Sequence, residues 1–217
     1  MPNLNGGTKY VELSEALPDI WDGDLLLFRG GTGIISNLIR TYGKGRYSHA
    51  GMAAWWDNDL MCLEVRELRG GRGVTLHSQV NKYPGMIDVY RANAKELEMM
   101  DHMKERGMDP GPERYDRMGS VRMMRGMTHG QYGYWDILMS FLTHLPGIRM
   151  FCKPNFNDDD VDSRPPYCSA AYSIAARLGG GVDPVPDKSD RYTEPSDLSH
   201  TSFFKYLLTL TPDKVKT

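Results

Sequence analysis

Charge of one sign, long apolar runs and cysteine are all scarce in this 217-residue chain. Its 26 Lys and Arg against 28 Asp and Glu give a formal net charge of -2, which argues against a broad basic face for nucleic acid. No apolar run approaches the roughly 18 residues that a bilayer-spanning helix needs. The start of the chain lacks a basic stretch followed by an apolar one, so no secretory signal is predicted. We therefore expect a cytoplasmic protein with no transmembrane segment and no nucleic-acid partner.

Only three cysteines are present, Cys62, Cys152 and Cys168, and they are widely spaced. An odd, dispersed set does not make a disulfide framework, so a reducing compartment is the better expectation. The chain also lacks a close CxxC or HxxxH pair, the spacing that zinc sites favour, so neither a metal site nor a cofactor is predicted. The open question is whether one of the three cysteines acts as a nucleophile.

Glycine and proline are plentiful, at 23 and 13 residues, and the turns they favour argue against a helical bundle. The length fits one large domain or two small ones. The apolar and turn patterns predict an α+β chain in which residues 21–90 form a helix and a small antiparallel sheet. The helix is expected at 34–42, and the strands at 21–29, 47–56, 60–68, 74–80 and 85–90.

Helix patterns dominate the second half of the chain. A charged helix is predicted at 94–106, and a basic, Met-rich stretch follows at 113–130. Together they form a helical insertion at about 95–130. Apolar helices are predicted at 134–145 and 167–178, and three glycines end the second of them. A capping-type sequence from Glu194 to Asp197 then precedes a last apolar stretch at 203–210.

Cys168 is the strongest candidate nucleophile of the three cysteines. It lies at the start of the helix predicted at 167–178, directly after two prolines and Tyr167. Unpaired N–H groups and the positive end of the helix dipole stabilise a thiolate at such a position. The small residues that follow, Ser169 to Ala171, allow close packing and close approach of a substrate. The alternative is an inert buried cysteine, which is the usual state of cysteine in proteins.

Two neighbouring predicted strands offer a base and a residue to orient it. His49 lies in the strand at 47–56, and imidazole has the pKa that a base partner for a thiol needs. Glu64 follows on the next strand, and a hairpin of that length can place both side chains on one face. Glu64 would orient the imidazole through its far ring nitrogen. The plainer interpretations are a surface or satisfied core histidine, and a glutamate that points outward from a half-exposed strand.

The order of these pieces resembles the circularly permuted branch of the NlpC-type papain-like cysteine hydrolases, the YiiX-like group. In papain-type enzymes the cysteine precedes the histidine, and here that order is reversed. The resemblance implies an α+β fold with a small, barrel-like antiparallel sheet packed against helices, as a single domain over residues 1–217. It extends over about residues 20–205 through GDLLLF at 23–28, YSHAGM at 47–52, LEV at 63–65, YWDIL at 134–138, YCSAAY at 167–172 and PSDL at 195–198.

The resemblance also implies a role for each candidate residue. Cys168 would be the nucleophile, His49 the general base and acid, and Glu64 the residue that orients His49. Attack of the thiol on a carbonyl carbon would give a thioester acyl-enzyme, which is then hydrolysed or transferred. The backbone N–H of Cys168 would bind the oxyanion, with Tyr47 or Tyr167 as a weaker side-chain candidate.

The function implied first is hydrolysis of an amide bond, with peptidoglycan stem peptides as the first substrate to consider. Without a secretory signal, such an enzyme of bacterial or phage origin would reach the cell wall with a phage particle or after lysis. A lipid-directed acyltransferase or phospholipase of the same fold is the second interpretation, because the apolar stretches 141–145 and 203–210 could line an acyl site. A non-catalytic binding or virion-structural module is the third, and the complete set of Cys168, His49 and Glu64 argues against it.

Overall fold

A seven-stranded sheet organises the part of the chain that the structure describes. This computed structural model describes residues 8–30, 45–66, 69–129 and 166–214. The strands are β1 (Tyr10–Glu12), β2 (Leu25–Arg29), β3 (Tyr47–Trp56), β4 (Asp59–Arg66), β5 (Gly70–Thr75), β6 (Met86–Ala92) and β7 (Phe204–Thr211). Their order across the sheet is β1-β7-β6-β2-β3-β4-β5. The β1–β7 pair is parallel and the other pairs are antiparallel.

Helices lie between the strands, and three of them begin where a side chain accepts from a free N–H group at the helix start. They are α1 (Leu13–Ala16), α2 (Leu76–Lys82), α3 (Ala94–Glu105), α4 (Arg117–Gly126), α5 (Cys168–Ile174) and α6 (Pro195–His200). Thr75 accepts from the N–H of Ser78 to start α2, and Asp116 accepts from the N–H of Gly119 to start α4. Glu194 and Asp197 form a capping box at α6. A π-helical turn, Ala175–Gly179, continues α5.

The sheet is buried on both faces. Its central strand, β2, is apolar at successive positions, so both of its faces need a core to cover them. Leu25 and Leu27 of β2 face a core formed with α4, α5 and α6. Leu26 and Phe28 face a second core formed with α1 and α2. All four are fully buried. A strand of this kind reads as a continuous apolar run and needs cover on both sides.

The α+β class expected from the sequence is confirmed, with one wrong strand. The strand predicted at 47–56 has the same bounds in the structure, and the charged helix at 94–106 is α3. The strand predicted at 74–80 is wrong: β5 ends at Thr75, and residues 76–82 form α2. β5 was not predicted because it contains three glycines, which are rare in strands. Residues 76–82 form a helix because the Thr75 side chain caps its start.

The remaining predicted elements are either assigned by the structure or lie outside the residues that it describes. The apolar stretch at 203–210 is β7, and the basic, Met-rich stretch contains α4. The helices predicted at 34–42 and 134–145, and Cys152, lie outside the described residues. A single domain over 1–217 with an insertion at about 95–130 stays a prediction.

A close backbone contact holds α4 against the π-helical turn that continues α5. A Cβ added to Gly119 would lie 2.1 Å from the carbonyl oxygen of Gly179, and one added to Gly179 would lie 2.4 Å from the carbonyl oxygen of Gly119. Any side chain at either position would push the two segments apart. The contact therefore depends on glycine for space.

Two alanine substitutions in the same helix test this contact. Gly119→Ala should lower the free energy of unfolding by about 1–3 kcal/mol, because overpacking outweighs the better helix propensity of alanine. Gly126→Ala, where an added Cβ meets nothing within 4 Å, should leave stability unchanged or raise it by up to ~1 kcal/mol. Urea unfolding of both variants measures the difference. Equal effects would contradict the close contact.

Candidate active site

The ladder between β3 and β4 covers only the second half of β3 and the first part of β4, which leaves a gap in their pairing. Its last pair is Met52–Leu63, although β3 stays paired with β2, and β4 with β5, beyond that point. The Ala53 N–H donates to a carbonyl on the β2 side. Because N–H directions alternate along a strand, the Ala50 N–H faces the β4 side, where the ladder has already ended. A backbone donor therefore faces the gap.

The thiol of Cys168 meets this donor. The backbone N–H groups of Ala50 and Ser169 and the His49 side chain face its sulfur, and their hydrogen-bonding effect lowers the pKa of the thiol. Cys168 is fully buried and is the first residue of α5, after the extended residue Tyr167. The start of α5 thus places the sulfur beside the gap between β3 and β4.

His49 connects the thiol to a carboxylate. Its Nε2 lies 2.6 Å from Oε2 of Glu64, and its ring packs edge-on against Phe28 at 5.0 Å between centroids. Since Nε2 is bound to Glu64, Nδ1 is the ring nitrogen left for Cys168. The structure therefore brings together the three residues that the sequence singled out, in the order Cys168, His49, Glu64.

Glu64 is fully buried and is bound on its other oxygen as well. Its Oε1 accepts from Nε of Arg72 at 2.7 Å and also from the Nη2 of that residue. The amide of Gln79 donates to the same oxygen at 2.6 Å. Arg66 lies further away, with 3.6 Å between its Nη1 and Oε1. Every polar atom of the carboxylate thus has a partner.

The charges of this cluster favour an imidazolium beside a carboxylate. Burial opposes the charged imidazole, but the neighbouring Cys168 thiolate and Glu64 carboxylate outweigh it and raise the pKa of His49 to about 9. Burial also opposes the charged carboxylate, but His49, Arg66 and Arg72 outweigh it and lower the pKa of Glu64 to about 2. Both groups are therefore charged near neutral pH.

The same balance acts on Cys168. Burial raises the pKa of a thiol, yet the charge and hydrogen bond of His49, with the N–H groups of Ala50 and Ser169, lower the pKa of Cys168 below its ordinary value. Cys62 is equally buried, and burial first, then the Glu64 charge, raise its pKa well above the ordinary value. Of the two described cysteines, only Cys168 has a lowered pKa.

The two tyrosines predicted as oxyanion partners are bound elsewhere in this structure. The hydroxyl of Tyr167 donates to the carbonyl of Thr193 at 2.9 Å. The hydroxyl of Tyr47 lies 2.8 Å from Oδ2 of Asp88 and 2.7 Å from the hydroxyl of Tyr90. Both rings belong to the core that contains Cys168. Their part in binding an oxyanion stays a prediction.

The sequence interpretation missed Arg72 and Gln79. Gln79 lies in the segment wrongly predicted as a strand at 74–80, and Arg72 lies just before it, where no element was predicted. In the structure β5 pairs with β4, and Arg72 lies directly across the ladder from Glu64. Opposite charges directly across an antiparallel ladder stabilise each other, but this pair is apparent only once the register of β4 with β5 is known.

The described residues show neither a metal cluster nor a spanning helix. No group of three or more His, Cys, Asp or Glu side chains among them is placed to hold a metal ion. None of their helices has the length and apolarity needed to cross a membrane.

Comparison with known proteins gives a structural neighbour but no sequence family. No protein-family model matches the chain, and no curated protein matches it. Its structure is similar to the crystal structure of the metalloprotein YiiX from Escherichia coli O157:H7, with a TM-score of 0.56 and 12% sequence identity. The match covers 88% of this chain and 100% of that one. At this identity the likeness shows the fold alone, and the chain has a YiiX-like fold.

Proposed function

We propose that this protein is a cysteine hydrolase with the circularly permuted, NlpC-type papain-like arrangement of catalytic residues. Cys168 is the nucleophile, His49 the general base and acid, and Glu64 the residue that orients His49. The observation that carries the proposal is the surroundings of the Cys168 sulfur, which meets His49 and two backbone N–H groups at the start of a helix. A thiol of this kind is a nucleophile rather than a packing residue.

The proposed reaction has two halves. The Cys168 thiolate adds to a carbonyl carbon, and the backbone N–H of Cys168 donates to the oxyanion that forms. His49 then gives its proton to the leaving nitrogen as the C–N bond breaks, which leaves a thioester. In the second half His49 takes a proton from water, the hydroxide attacks the thioester, and the acid product leaves as Cys168 is regenerated.

An amide substrate fits the charged state of His49. An amine leaves from a tetrahedral intermediate only after it is protonated, so the base partner of the thiol must also hold a proton to give. Glu64, 2.6 Å from Nε2, stabilises the protonated ring. Peptidoglycan stem peptides, which the permuted NlpC-type resemblance suggests, are the first substrate to test.

Two other functions have less support from the described residues. The stretch at 203–210, considered for an acyl site, forms β7, and Phe204, Leu208 and Leu210 are buried in the two cores. Core packing accounts for it, and the stretch at 141–145 lies outside the described residues. A module that only binds would have no need for the contact between Cys168 and His49.

The reactivity of Cys168 tests the nucleophile. In the parent protein, iodoacetamide should modify Cys168 below pH 8, and thiolate absorbance in the ultraviolet should appear over the same range. His49→Ala should slow the modification near neutral pH by about 10-fold or more, because the thiolate loses its cation. Peptide mass analysis separates the sites, and Cys62 is the internal control that should stay unmodified. Equal rates in parent and His49→Ala would remove the catalytic assignment.

The pH dependence tests the role of Glu64. The rate of amide hydrolysis should rise with pH as Cys168 ionises. It should fall again as His49, with a pKa of about 9, loses the proton that the leaving amine needs. Glu64→Gln removes the negative charge that favours imidazolium, so the alkaline fall should move to lower pH. The maximal rate should drop by about 10²- to 10⁴-fold, because the ring also loses its orientation. An unchanged alkaline limb in a folded Glu64→Gln would contradict this role.

Product analysis tests the substrate. Muropeptides incubated with the parent protein should yield new amine and carboxylate ends, and denaturation in acid should trap a mass increase on Cys168. The Cys168→Ala variant is the matched control and should give neither. Cleavage of acyl esters or phospholipids, without cleavage of muropeptides, would favour the lipid-directed alternative. No covalent adduct with either class would contradict the proposed acyl-enzyme.

A further inference from the structure

The two oxygens of the Glu64 carboxylate have different partners. Oε2 faces Nε2 of His49 at 2.6 Å. Oε1 faces away from the imidazole and accepts from Arg72 and Gln79. A carboxylate with both oxygens bound can neither rotate about its last bond nor turn its charge fully toward one partner. The arrangement around Oε1 therefore affects the state of His49 without contact to it.

Arg72 is built into its position by the sheet. It pairs directly with Glu64 in the β4–β5 register, and two of its nitrogens reach the same oxygen. Gly71 precedes it, and a Cβ there would lie 1.9 Å from the carbonyl oxygen of Met127. The glycine lets the turn at Met127 cover β5, and the Arg72 side chain is only 22% exposed.

Gln79 reaches the same oxygen from a different element. The Thr75 cap starts α2 directly after β5, which places Gln79 one turn into the helix. Its side chain is buried, and its amide nitrogen lies 2.6 Å from Oε1 of Glu64. A charged donor from a strand and a neutral donor from the following helix thus meet at one atom.

We propose that Arg72 and Gln79 are positioning residues that hold Glu64 so that Oε2 faces His49, and that the charge of Arg72 weakens the hold of the carboxylate on the imidazolium proton. This inference rests on the proposed function of Cys168 and His49. A buried carboxylate with the imidazolium as its only partner would bind that proton more tightly. His49 must release the proton to the leaving group, so a second cation on Glu64 serves the acid step.

Other charged or titratable groups also face this cluster. They are Cys168 from α5, and Cys62 and Arg66 from β4. Cys62 is a neutral thiol, since its pKa is well above the ordinary value. Arg66 contacts the same oxygen as Arg72, but at 3.6 Å and with 30% of its side chain exposed. It is therefore the matched control for Arg72.

The test is an NMR titration of the His49 ring protons in the parent and in single variants, together with the pH profile of Cys168 modification by iodoacetamide. Arg72→Gln should raise the His49 midpoint by about one pH unit, because a nearby positive charge is lost. Arg66→Gln should raise it less, since its cation is more distant and more solvated. Gln79→Met, which removes a neutral donor, should also move it less but should slow the modification of Cys168.

The conservative variant separates charge from geometry. Arg72→Lys keeps the charge without the two-nitrogen contact, so the His49 midpoint should return toward the parent value while the modification of Cys168 stays slower. An unchanged or lower midpoint in a folded Arg72→Gln, or an equal shift in Arg66→Gln, would overturn the inference. If Arg72→Gln does not fold, Arg72→Lys and Gln79→Met decide it, and parent-like rates in both would overturn it.

The two proposals fail in different ways. An unreactive Cys168 in the parent would end the proposed hydrolase function, whatever the His49 titration shows. A reactive, His49-dependent Cys168 combined with a midpoint that ignores Arg72 would leave the hydrolase standing and end the positioning role. Circular dichroism and urea unfolding of each variant show that the comparison is between folded proteins.

Discussion

A buried, ionised carboxylate is the constraint on which the arrangement of this protein depends. Burying such a group costs several kcal/mol, and losing one partner of a buried pair costs about 3–5 kcal/mol. Glu64 is offset by His49 from β3, Arg72 from β5 and Gln79 from α2. Three elements must therefore meet at one side chain. β5 brings Arg72 to Glu64, and the Thr75 cap starts α2 at once, which brings Gln79 to the same carboxylate.

The gap between β3 and β4 and the position of Cys168 are connected. Where the ladder ends, the N–H of Ala50 loses its strand partner, and a buried donor without a partner is costly. The sulfur of Cys168 accepts from that N–H. The thiolate gains a donor, the strand keeps its hydrogen bond, and α5 acquires a fixed place on the sheet. A separated pair of strands is thus a structural feature with a chemical use.

Local sequence patterns predicted the site residues whose strand or helix can be recognised from its own segment. The segment around His49 has the composition of a short buried strand, and Cys168 follows two prolines and starts a small-residue helix, so the elements that carry both residues could be predicted from the sequence. Arg72 was not, because Gly70, Gly71 and Gly73 suggest a loop, and only pairing with β4 makes the segment a strand. The parallel β1–β7 pair joins the two ends of the described chain and has no local signal either.

The two described cysteines show that the partners of a thiol, rather than its burial, decide the direction of its pKa shift. Cys62 and Cys168 are both fully buried beside the same sheet, and burial raises the pKa of each thiol. Cys62 is near the carboxylate of Glu64, so its nearest charge adds to the effect of burial. Cys168 meets the imidazolium of His49 and two N–H donors, which reverse it. His49 lies between the Glu64 carboxylate and Cys168, so the carboxylate raises the pKa of the Cys62 thiol while the imidazolium that it stabilises lowers the pKa of Cys168.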